Sequence, residues 1–219
     1  MHTIAAAFLV TFAALFPIVN PLEGAPLFHV LTREQPVPRQ RALAWQVGVN
    51  GLLLLLGSMV LGPWLLVFFG IELPVLRIAG GLVVTSIGWK LLSQDQWSDH
   101  APHQVPQHAM AKCGAFYPLT MPLTVGPGSM SVAVSIGSRQ PMNLNNLGVY
   151  VLNGIGATLG LIAIGASIYV AYRFAGNLTR VLGASGVEVL VRLSAFILMC
   201  IGIEFLWSGY LALVAAHSI

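Results

Sequence analysis

Charged residues are scarce in this chain. Asp, Glu, Lys and Arg make up 8% of its 219 residues, whereas hydrophobic residues make up 57%, and the mean hydropathy is +0.83. Soluble domains carry about 25% charged residues, so this composition excludes a water-soluble globular protein. It predicts an all-α, polytopic membrane protein.

Several functional signatures are also missing. The sequence holds no Walker loop, no serine nucleophile elbow and no His-Glu-x-x-His motif, so we predict that it is not an enzyme. The sequence also has no basic patch interleaved with aromatic residues, so no nucleic-acid partner is predicted. Cys113 and Cys200 have no metal-site spacing, and their separation argues against a disulfide. A solvated loop is favoured over metal capture for one histidine cluster: His100, His103 and His108.

Six apolar segments can each cover a bilayer core, which needs about 20 residues. They lie at about residues 4–31, 42–69, 73–92, 115–136, 144–174 and 187–216. No basic region precedes the first segment, so it is predicted to be a span rather than a cleaved signal peptide. A kink or an end is expected at Pro63 in the second span. The predicted organisation is one three-helix unit at 1–92, a polar cytoplasmic linker at 93–112 and a second unit at 113–219.

Lys and Arg are distributed unevenly between the loops. The loops after spans 1, 3 and 5 contain Arg33, Arg39, Arg41, Lys112, Arg173 and Arg180. The loops on the other side contain Arg139 alone. The positive-inside rule therefore predicts that the first group is cytoplasmic and that both termini lie outside. Because each unit has three spans, the second unit is predicted to be inverted.

A triplet of prolines recurs in the two halves at one constant offset. The triplets are Pro17, Pro21 and Pro26, then Pro118, Pro122 and Pro127. Less specific similarities between the halves follow in the same order: Asn50-Gly51 matches Asn153-Gly154, and Glu72 and Arg77 match Glu188 and Arg192. Matching residues in this order predict an inverted-topology repeat, in which matched helix interruptions indicate the binding site.

Proline inside a helix removes a backbone donor and disrupts the preceding turn. Lipid cannot satisfy the freed carbonyl groups, so such a break needs a protein interior or a wet cavity. Spans 1 and 4 are therefore predicted to be broken helices whose second halves begin near Leu22 and Gly128. Their positive N-terminal ends would suit a carboxylate or another anion. The alternative is a pair of kinked helices that bind nothing.

Polar and small residues surround both breaks. Asn20 could bind a substrate or recap the broken helix, and these alternatives stay open. Glu23 could carry a coupling proton, or it could be a carboxylate stabilised at a half-helix start. Thr124 occupies the position that matches Glu23. The candidate substrate-binding residues are Asn20, Pro21, Leu22, Glu23, Gly24, Thr120, Thr124, Gly126, Gly128 and Ser129.

Four secondary polar positions accompany the repeat: Asn50, Asn153, Arg77 and Arg192. The asparagines either line the cavity or, as favoured here, join helices by hydrogen bonds. The arginines either extend to the membrane interface or pair with Glu72 and Glu188. Glu204 is an unexplained carboxylate in span 6. Small-residue packing faces are predicted at Gly80-Gly81 and at Gly156 with Gly160.

Three segments together resemble the MarC family of membrane proteins. They are Phe-Pro-Ile-Val-Asn-Pro-Leu from Phe16, Leu-Arg-Ile-Ala-Gly-Gly-Leu from Leu76, and Pro-Leu-Thr-Met-Pro-Leu-Thr-Val-Gly-Pro-Gly from Pro118. The resemblance covers nearly the whole chain. It implies a six-span inner-membrane protein of bacteria or archaea, grouped with LysE-type transporters, and some members are described as transporters of small neutral amino acids. Glu23 departs from the small or apolar residue expected there.

The leading hypothesis is a secondary transporter of small neutral amino acids such as glycine or alanine, working by alternating access. The half-helix ends would hold the carboxylate, and Asn20, Thr120, Thr124 or a backbone carbonyl would hold the ammonium group. Coupling to H⁺ through Glu23 has Na⁺ as its rival, and no other cofactor is expected. The alternatives are a non-transporting membrane or envelope-stress partner and an exporter of another small solute. Membrane lipids are expected partners, and a homo-oligomer stays open.

Overall fold

The elements of the fold are all helices. The computed structural model describes residues 4–93, 114–117, 119–138 and 147–217. The helices are α1 (Ile4–Val19), α2 (Pro21–Thr32), α3 (Val37–Phe69), α4 (Leu73–Ser93), a π turn (Leu119–Thr124), α5 (Pro127–Ser138), α6 (Leu147–Arg173) and α7 (Ala175–His217). The all-α prediction is confirmed. Nearly all of the predicted linker, with its histidine cluster, and also Cys113, Pro118 and Arg139 lie outside the described residues.

Helices α3, α4, α6 and α7 are long and apolar enough to cross a membrane. Helices α1 and α2 form a pair bent by 41°, which would make a fifth span if the pair crosses as one. The fourth predicted span is divided into the π turn and the 12 residues of α5, and neither piece reaches the roughly 20 residues that a crossing needs. A multi-pass helical membrane protein is thus confirmed, whereas the number six stays a prediction.

Glycine rather than proline ends the second predicted span. Helix α3 continues through Pro63 to Phe69, so the expectation of an end at Pro63 is wrong. The helix stops at Gly70, which has φ 65° and ψ 25° and donates its N–H to the carbonyl oxygens of Leu66 and Val67. Glycine is the usual residue in this left-handed conformation at a helix C-terminus. Helix α7 bends at Gly183, which also has φ 65°.

Close helix packing occurs at the predicted small-residue faces. A Cβ added at Gly81 would lie 2.8 Å from the carbonyl oxygen of Gly202, where α4 meets α7. Similarly, a Cβ at Gly160 would lie 2.9 Å from the Cβ of Thr11, where α6 meets α1. Small residues let helix backbones approach closely in membrane proteins. The packing interpretation of these glycine pairs is confirmed.

The contacts between helices are similar when the two predicted three-helix units are exchanged. The predicted first span, α1 with α2, packs on α6 as the predicted fourth span, the π turn with α5, packs on α3, and α2 packs on α7 as α5 packs on α4. Two further contacts, α3 with α6 and α4 with α7, map onto themselves when the halves are exchanged. An inverted repeat would produce this pattern, although the repeat and its domain boundaries stay predictions. The buried core lies among α1, α2, α3, α5 and α6, and its members include Leu15, Phe28, Leu55, Val132 and Ile164.

Candidate functional site

A single residue, Asn20, separates α1 from α2. It has φ 42° and ψ 64°, in the left-handed region that asparagine tolerates better than most residues. Its N–H donates to the carbonyl oxygen of Phe16 at 2.9 Å, and its own carbonyl oxygen accepts the N–H groups of Glu23 and Gly24 at 3.2 Å. Pro21 opens α2, where its missing N–H is harmless. The predicted start near Leu22 is therefore confirmed to within one residue.

The side chain of Asn20 is directed at Glu23 and does not cap the helix. Its Nδ2 donates a hydrogen bond to Oε2 of Glu23, and the side chain makes no capping bond to α2. The recapping alternative is wrong, because the side-chain oxygen accepts no backbone N–H of α2, and the carbonyl oxygen of Asn20 accepts those of Glu23 and Gly24 instead. Both side chains are half-buried, which leaves an amide and a carboxylate beside each other at the break.

The second break lies inside the π turn. Met121 has φ −116° and ψ 127°, which is extended rather than helical backbone. The N–H groups of Met121 and Val125 donate to the carbonyl oxygens five residues earlier, on Phe116 and Thr120, both at 2.9 Å. Helix α5 then begins at Pro127, one residue before the predicted start at Gly128. Met121 holds the place in the second proline triplet that Asn20 holds in the first.

Hydroxyl groups satisfy backbone carbonyls around the second break. Oγ1 of Thr120 donates to the carbonyl oxygen of Ala115 at 2.7 Å, and Oγ1 of Thr124 donates to that of Leu119 at 2.7 Å. Both threonines are buried. Side-chain hydroxyls of this kind can replace the backbone donors that a broken helix loses at membrane depth. These two hydroxyls are therefore turned toward the backbone.

A cavity of about 150 Å³ lies between the two breaks, and we call it the break cavity. Its polar and small lining residues come from both copies of the motif: Asn20, Glu23 and Gly24 from the first, and Gly126, Gly128 and Ser129 from the second. The remaining walls are aliphatic and come from α1, α2, the π turn, α4 and α7: Ile18, Val19, Leu27, Val84, Ile87, Leu91, Leu123 and Leu198. Six of the ten predicted binding residues thus border one space.

The other four predicted residues do not border the break cavity. Pro21 is buried and Leu22 is 40% exposed. Thr120 and Thr124 are buried, with their hydroxyls bonded as described above. The aliphatic wall from α4 and α7 was not anticipated, because Val84 or Leu198 in the middle of an apolar span carries no local signal.

Tyr172 is a further residue at the breaks that no sequence motif indicated. Its ring stacks on Phe28 with centroids 4.7 Å apart, and its hydroxyl shares a 2.7 Å hydrogen bond with the hydroxyl of Thr124. The same hydroxyl lies where a Cβ on Gly24 would be. A tyrosine near the end of a long apolar span is typical of the membrane interface, yet only 2% of Tyr172 is exposed. It joins α6 to both breaks.

A second cavity, of about 240 Å³, is bordered by Tyr172 and Phe28, and we call it the basic cavity. Its lining comes from α2, the start of α3 and the junction of α6 with α7: Phe28, His29, Val37, Gln40, Arg41, Tyr172, Arg173, Phe174, Ala175, Gly176 and Asn177. The segments that follow predicted spans 1 and 5 therefore meet at one end of the molecule. Their placement on a common side was predicted from the positions of Lys and Arg.

The secondary arginines have different partners. Nε of Arg77 donates to Oγ of Ser135 at 3.3 Å, which joins α4 to α5. In contrast, Arg192 and Glu188 form an exposed ion pair, with Nη2 and Oε1 2.8 Å apart, so pairing is confirmed there. Asn50 and Asn153 are half-buried. Neither of their side-chain amides hydrogen-bonds to another residue within the described ranges, so the favoured interhelical bonds are not found there.

Apolar helices, closely packed at glycines and interrupted at two matched positions around a small cavity, define this chain as a polytopic helical membrane protein. The family described as "MarC family integral membrane protein" matches residues 5–214. The chain belongs to that family, as its three motif segments indicated.

Relatives in the family are similar along nearly the whole chain. The inner membrane protein MarC of Citrobacter koseri is 28% identical over 209 residues, which cover 93% of each protein. The proteins of the same name from Salmonella typhimurium and Escherichia coli O1:K1 are 27% and 28% identical with the same coverage. No solved structure matches the chain.

Proposed function

We propose that this chain is a secondary transporter of small neutral amino acids in the inner membrane of a bacterium or archaeon, with the break cavity as its substrate site. One observation carries the proposal. The cavity brings the amide and carboxylate of one helix break to the glycine-rich N-terminal end of the helix after the other break. The family description and the relatives' names denote membrane proteins and name no substrate. The substrate class therefore comes from the chemistry of the cavity.

The size of the break cavity favours a small solute. Its volume of about 150 Å³ is below the roughly 300–1,000 Å³ of pockets for drug-sized ligands. Glycine or alanine has few enough atoms to fit, and the aliphatic lining suits a side chain that is hydrogen or methyl. A bulky side chain would need the walls formed by α4 and α7 to move.

The charges of the break cavity suit a zwitterion. The N-terminal end of α5, at Gly128 and Ser129, supplies a positive dipole end for a substrate carboxylate. Glu23 and the side-chain oxygen of Asn20 are acceptors for an ammonium group. This assignment differs from the first hypothesis, because Thr120 and Thr124 turn away from the cavity and Glu23 remains as the charged acceptor. Glu23 is then also the residue at which a coupling proton would act, and coupling to Na⁺ at another position is the rival to this role.

Alternating access would require the wall between the two cavities to open. In α2, Gly24 and Leu27 border the break cavity and Phe28 borders the basic cavity, so we infer that this wall is the stacked pair of Phe28 and Tyr172, whose hydroxyl is bonded to Thr124. Withdrawal of α6 from α2 and the π turn would break this bond and connect the break cavity with the basic cavity. Because the positive-inside rule places the basic end in the cytoplasm, the route that opens would be the cytoplasmic one.

Uptake into proteoliposomes tests the proposal. Purified protein is reconstituted, and uptake of labelled glycine, alanine and leucine is measured under an imposed pH gradient and, separately, a Na⁺ gradient. We expect glycine or alanine to enter at least tenfold faster than leucine, and faster than into protein-free vesicles. Absence of glycine and alanine flux under both gradients would contradict the proposal and favour a non-transporting membrane partner. Equal flux of leucine would contradict the size argument.

A further inference from the structure

The basic cavity carries a charge pattern that the proposed transport cycle does not use. Arg41 borders it from α3, Arg173 from the end of α6 and His29 from α2. No aspartate or glutamate is among its lining residues in the part of the chain that the structure describes. Glu34, in the turn between α2 and α3, is exposed. The cavity therefore concentrates positive charge without an internal counter-charge.

Both arginines are available to an anion. Nη1 of Arg173 donates to the hydroxyl of Tyr169 at 2.6 Å, and its guanidinium lies 5.7 Å from that ring's centroid and 6.0 Å from that of Phe174. These contacts orient the group without neutralising it. Neither Arg41 nor Arg173 forms an ion pair within the described ranges, where the pair identified is Arg192 with Glu188. A guanidinium offers a planar set of donors that matches phosphate geometry.

Aromatic residues indicate the depth of the basic cavity in the membrane. Trp45 is 59% exposed and packs edge-on against Tyr169, with ring centroids 5.4 Å apart. Exposed tryptophan and tyrosine are enriched where the hydrocarbon core meets the headgroups. Arg41 lies one turn before Trp45 in α3, and Arg173 lies one turn after Tyr169 in α6. Both arginines are therefore placed at headgroup level.

We propose that the basic cavity binds a phosphate-bearing anion, held mainly by Arg41 and Arg173. The amide of Asn177 and the second N–H of the Gln40 amide, whose Nε2 also donates to the carbonyl oxygen of Gln35 at 2.9 Å, are additional donors. Basic pockets between membrane helices on the cytoplasmic side are suited to anionic lipid headgroups, and the exposed aromatic residues favour a lipid as the source. A volume of about 240 Å³ accommodates a phosphate with part of its ester. The proposal is independent of transport.

Ligand-induced stabilisation of the full chain, purified in a neutral detergent, tests the site. A ligand that binds the folded state raises its apparent thermal stability by mass action. We titrate with short-chain phosphatidylglycerol, short-chain phosphatidylcholine and inorganic phosphate. We expect phosphatidylglycerol to raise the midpoint of unfolding and phosphatidylcholine to leave it unchanged. Stabilisation by inorganic phosphate with the same arginine dependence would also support the site and would identify a soluble anion as the source.

Two matched double variants make the test specific. Arg41→Gln with Arg173→Gln is expected to weaken binding of phosphatidylglycerol at least tenfold. Arg33→Gln with Arg180→Gln removes the same charge from exposed residues near the same end of the molecule and is expected to change binding less than twofold. Equal weakening by both pairs, or equal stabilisation by phosphatidylglycerol and phosphatidylcholine, would overturn the proposal.

If the first pair fails to fold, the double variant Arg41→Lys with Arg173→Lys replaces it. This variant keeps the charge and is expected to bind phosphatidylglycerol at least threefold more weakly than the wild type. Unchanged binding would also overturn the proposal.

Discussion

The two helix breaks share their proline spacing but differ in how they satisfy the interrupted backbone. At the first break, Asn20 adopts a left-handed conformation and its backbone bonds to both flanking helices, which leaves its side chain for Glu23. At the second break, Met121 is extended. The N–H groups of Met121 and Val125 and the hydroxyls of Thr120 and Thr124 each donate to the carbonyl oxygen five residues earlier.

This difference decides what each break presents to the cavity. Where backbone bonds alone close the break, polar side chains remain for the cavity, as with Asn20 and Glu23. Where hydroxyls are used for the backbone, the cavity is left with glycines and a helix N-terminus at Gly126 and Gly128. In both copies the break falls at the residue before the middle proline, Asn20 before Pro21 and Met121 before Pro122, whereas the neighbouring side chains set its chemistry.

The largest expected effect on transport comes from removing the charge at the first break. Glu23→Gln should lower gradient-driven glycine or alanine uptake at least about tenfold, which corresponds to about 1.4 kcal/mol, because the acceptor for the ammonium group is lost. Uptake into proteoliposomes measures this effect. Glu204→Gln is the matched control, since Glu204 is an exposed carboxylate in α7 and should leave uptake unchanged.

The same variant separates the two coupling ions. If Glu23 carries a coupling proton, Glu23→Gln abolishes the pH dependence of the remaining uptake, whereas a Na⁺ dependence would survive. Uptake by Glu23→Gln that equals the wild-type rate and keeps its pH profile would contradict both the binding and the proton role.

The largest expected effect on stability concerns the contact between Tyr172 and the first break. Gly24→Ala places a methyl group against the Tyr172 hydroxyl, and overpacking of this kind costs about 1–3 kcal/mol. The matching position of the second break already carries a side chain, Val125, which is fully buried. The free energy of unfolding, measured by SDS titration in mixed micelles, should fall accordingly.

A background substitution and a control sharpen that measurement. Tyr172→Phe should recover part of the loss in Gly24→Ala, because it removes the nearest atom. A methyl group added at Gly57, inside α3, meets nothing within 4 Å, so Gly57→Ala should not destabilise the protein. If Gly24→Ala were as stable as Gly57→Ala, the contact with Tyr172 would be discounted.

Backbone conformation distinguishes the two break residues. Asn20→Ala should cost about 1–2 kcal/mol because alanine is disfavoured in the left-handed region, whereas Asn20→Gly should keep most of the stability. Met121→Ala carries no such backbone penalty, because Met121 is extended. Unfolding titrations of the three variants test this order. Equal losses for Asn20→Ala and Asn20→Gly would show that the amide, not the backbone conformation, matters.

The smallest expected effect is the loss of one hydroxyl at the second break. Thr120→Val removes the hydrogen bond to the carbonyl oxygen of Ala115, which also accepts the N–H of Thr120 at 3.0 Å. A net loss of about 0.5–1.5 kcal/mol is expected for one such bond, again by unfolding titration. Thr120→Ser keeps the hydroxyl and should recover most of this loss. A larger loss for Thr120→Ser than for Thr120→Val would indicate that the methyl group stabilises the break instead.

Local patterns predicted the course of the chain better than its contacts. The proline triplets located the starts of α2 and α5 to within one residue, because proline both interrupts a helix and suits its first position. Expectations for individual polar side chains were less accurate. Asn20 does not recap its helix, and the hydroxyls of Thr120 and Thr124 bond to the backbone, because several partners were within reach of each group.

The sequence by itself determined that this protein lies in a membrane, that it is helical and that its helices break at two matched sites. These properties follow from apolar composition and from proline, which act over a few residues. Only the tertiary structure decided that Glu23 and Gly128 border one cavity and that Tyr172 borders a second, basic one while its hydroxyl bonds to Thr124 at the second break. Those relations depend on how α6 packs against α2 and the π turn, and contacts between residues far apart in the chain leave no local pattern.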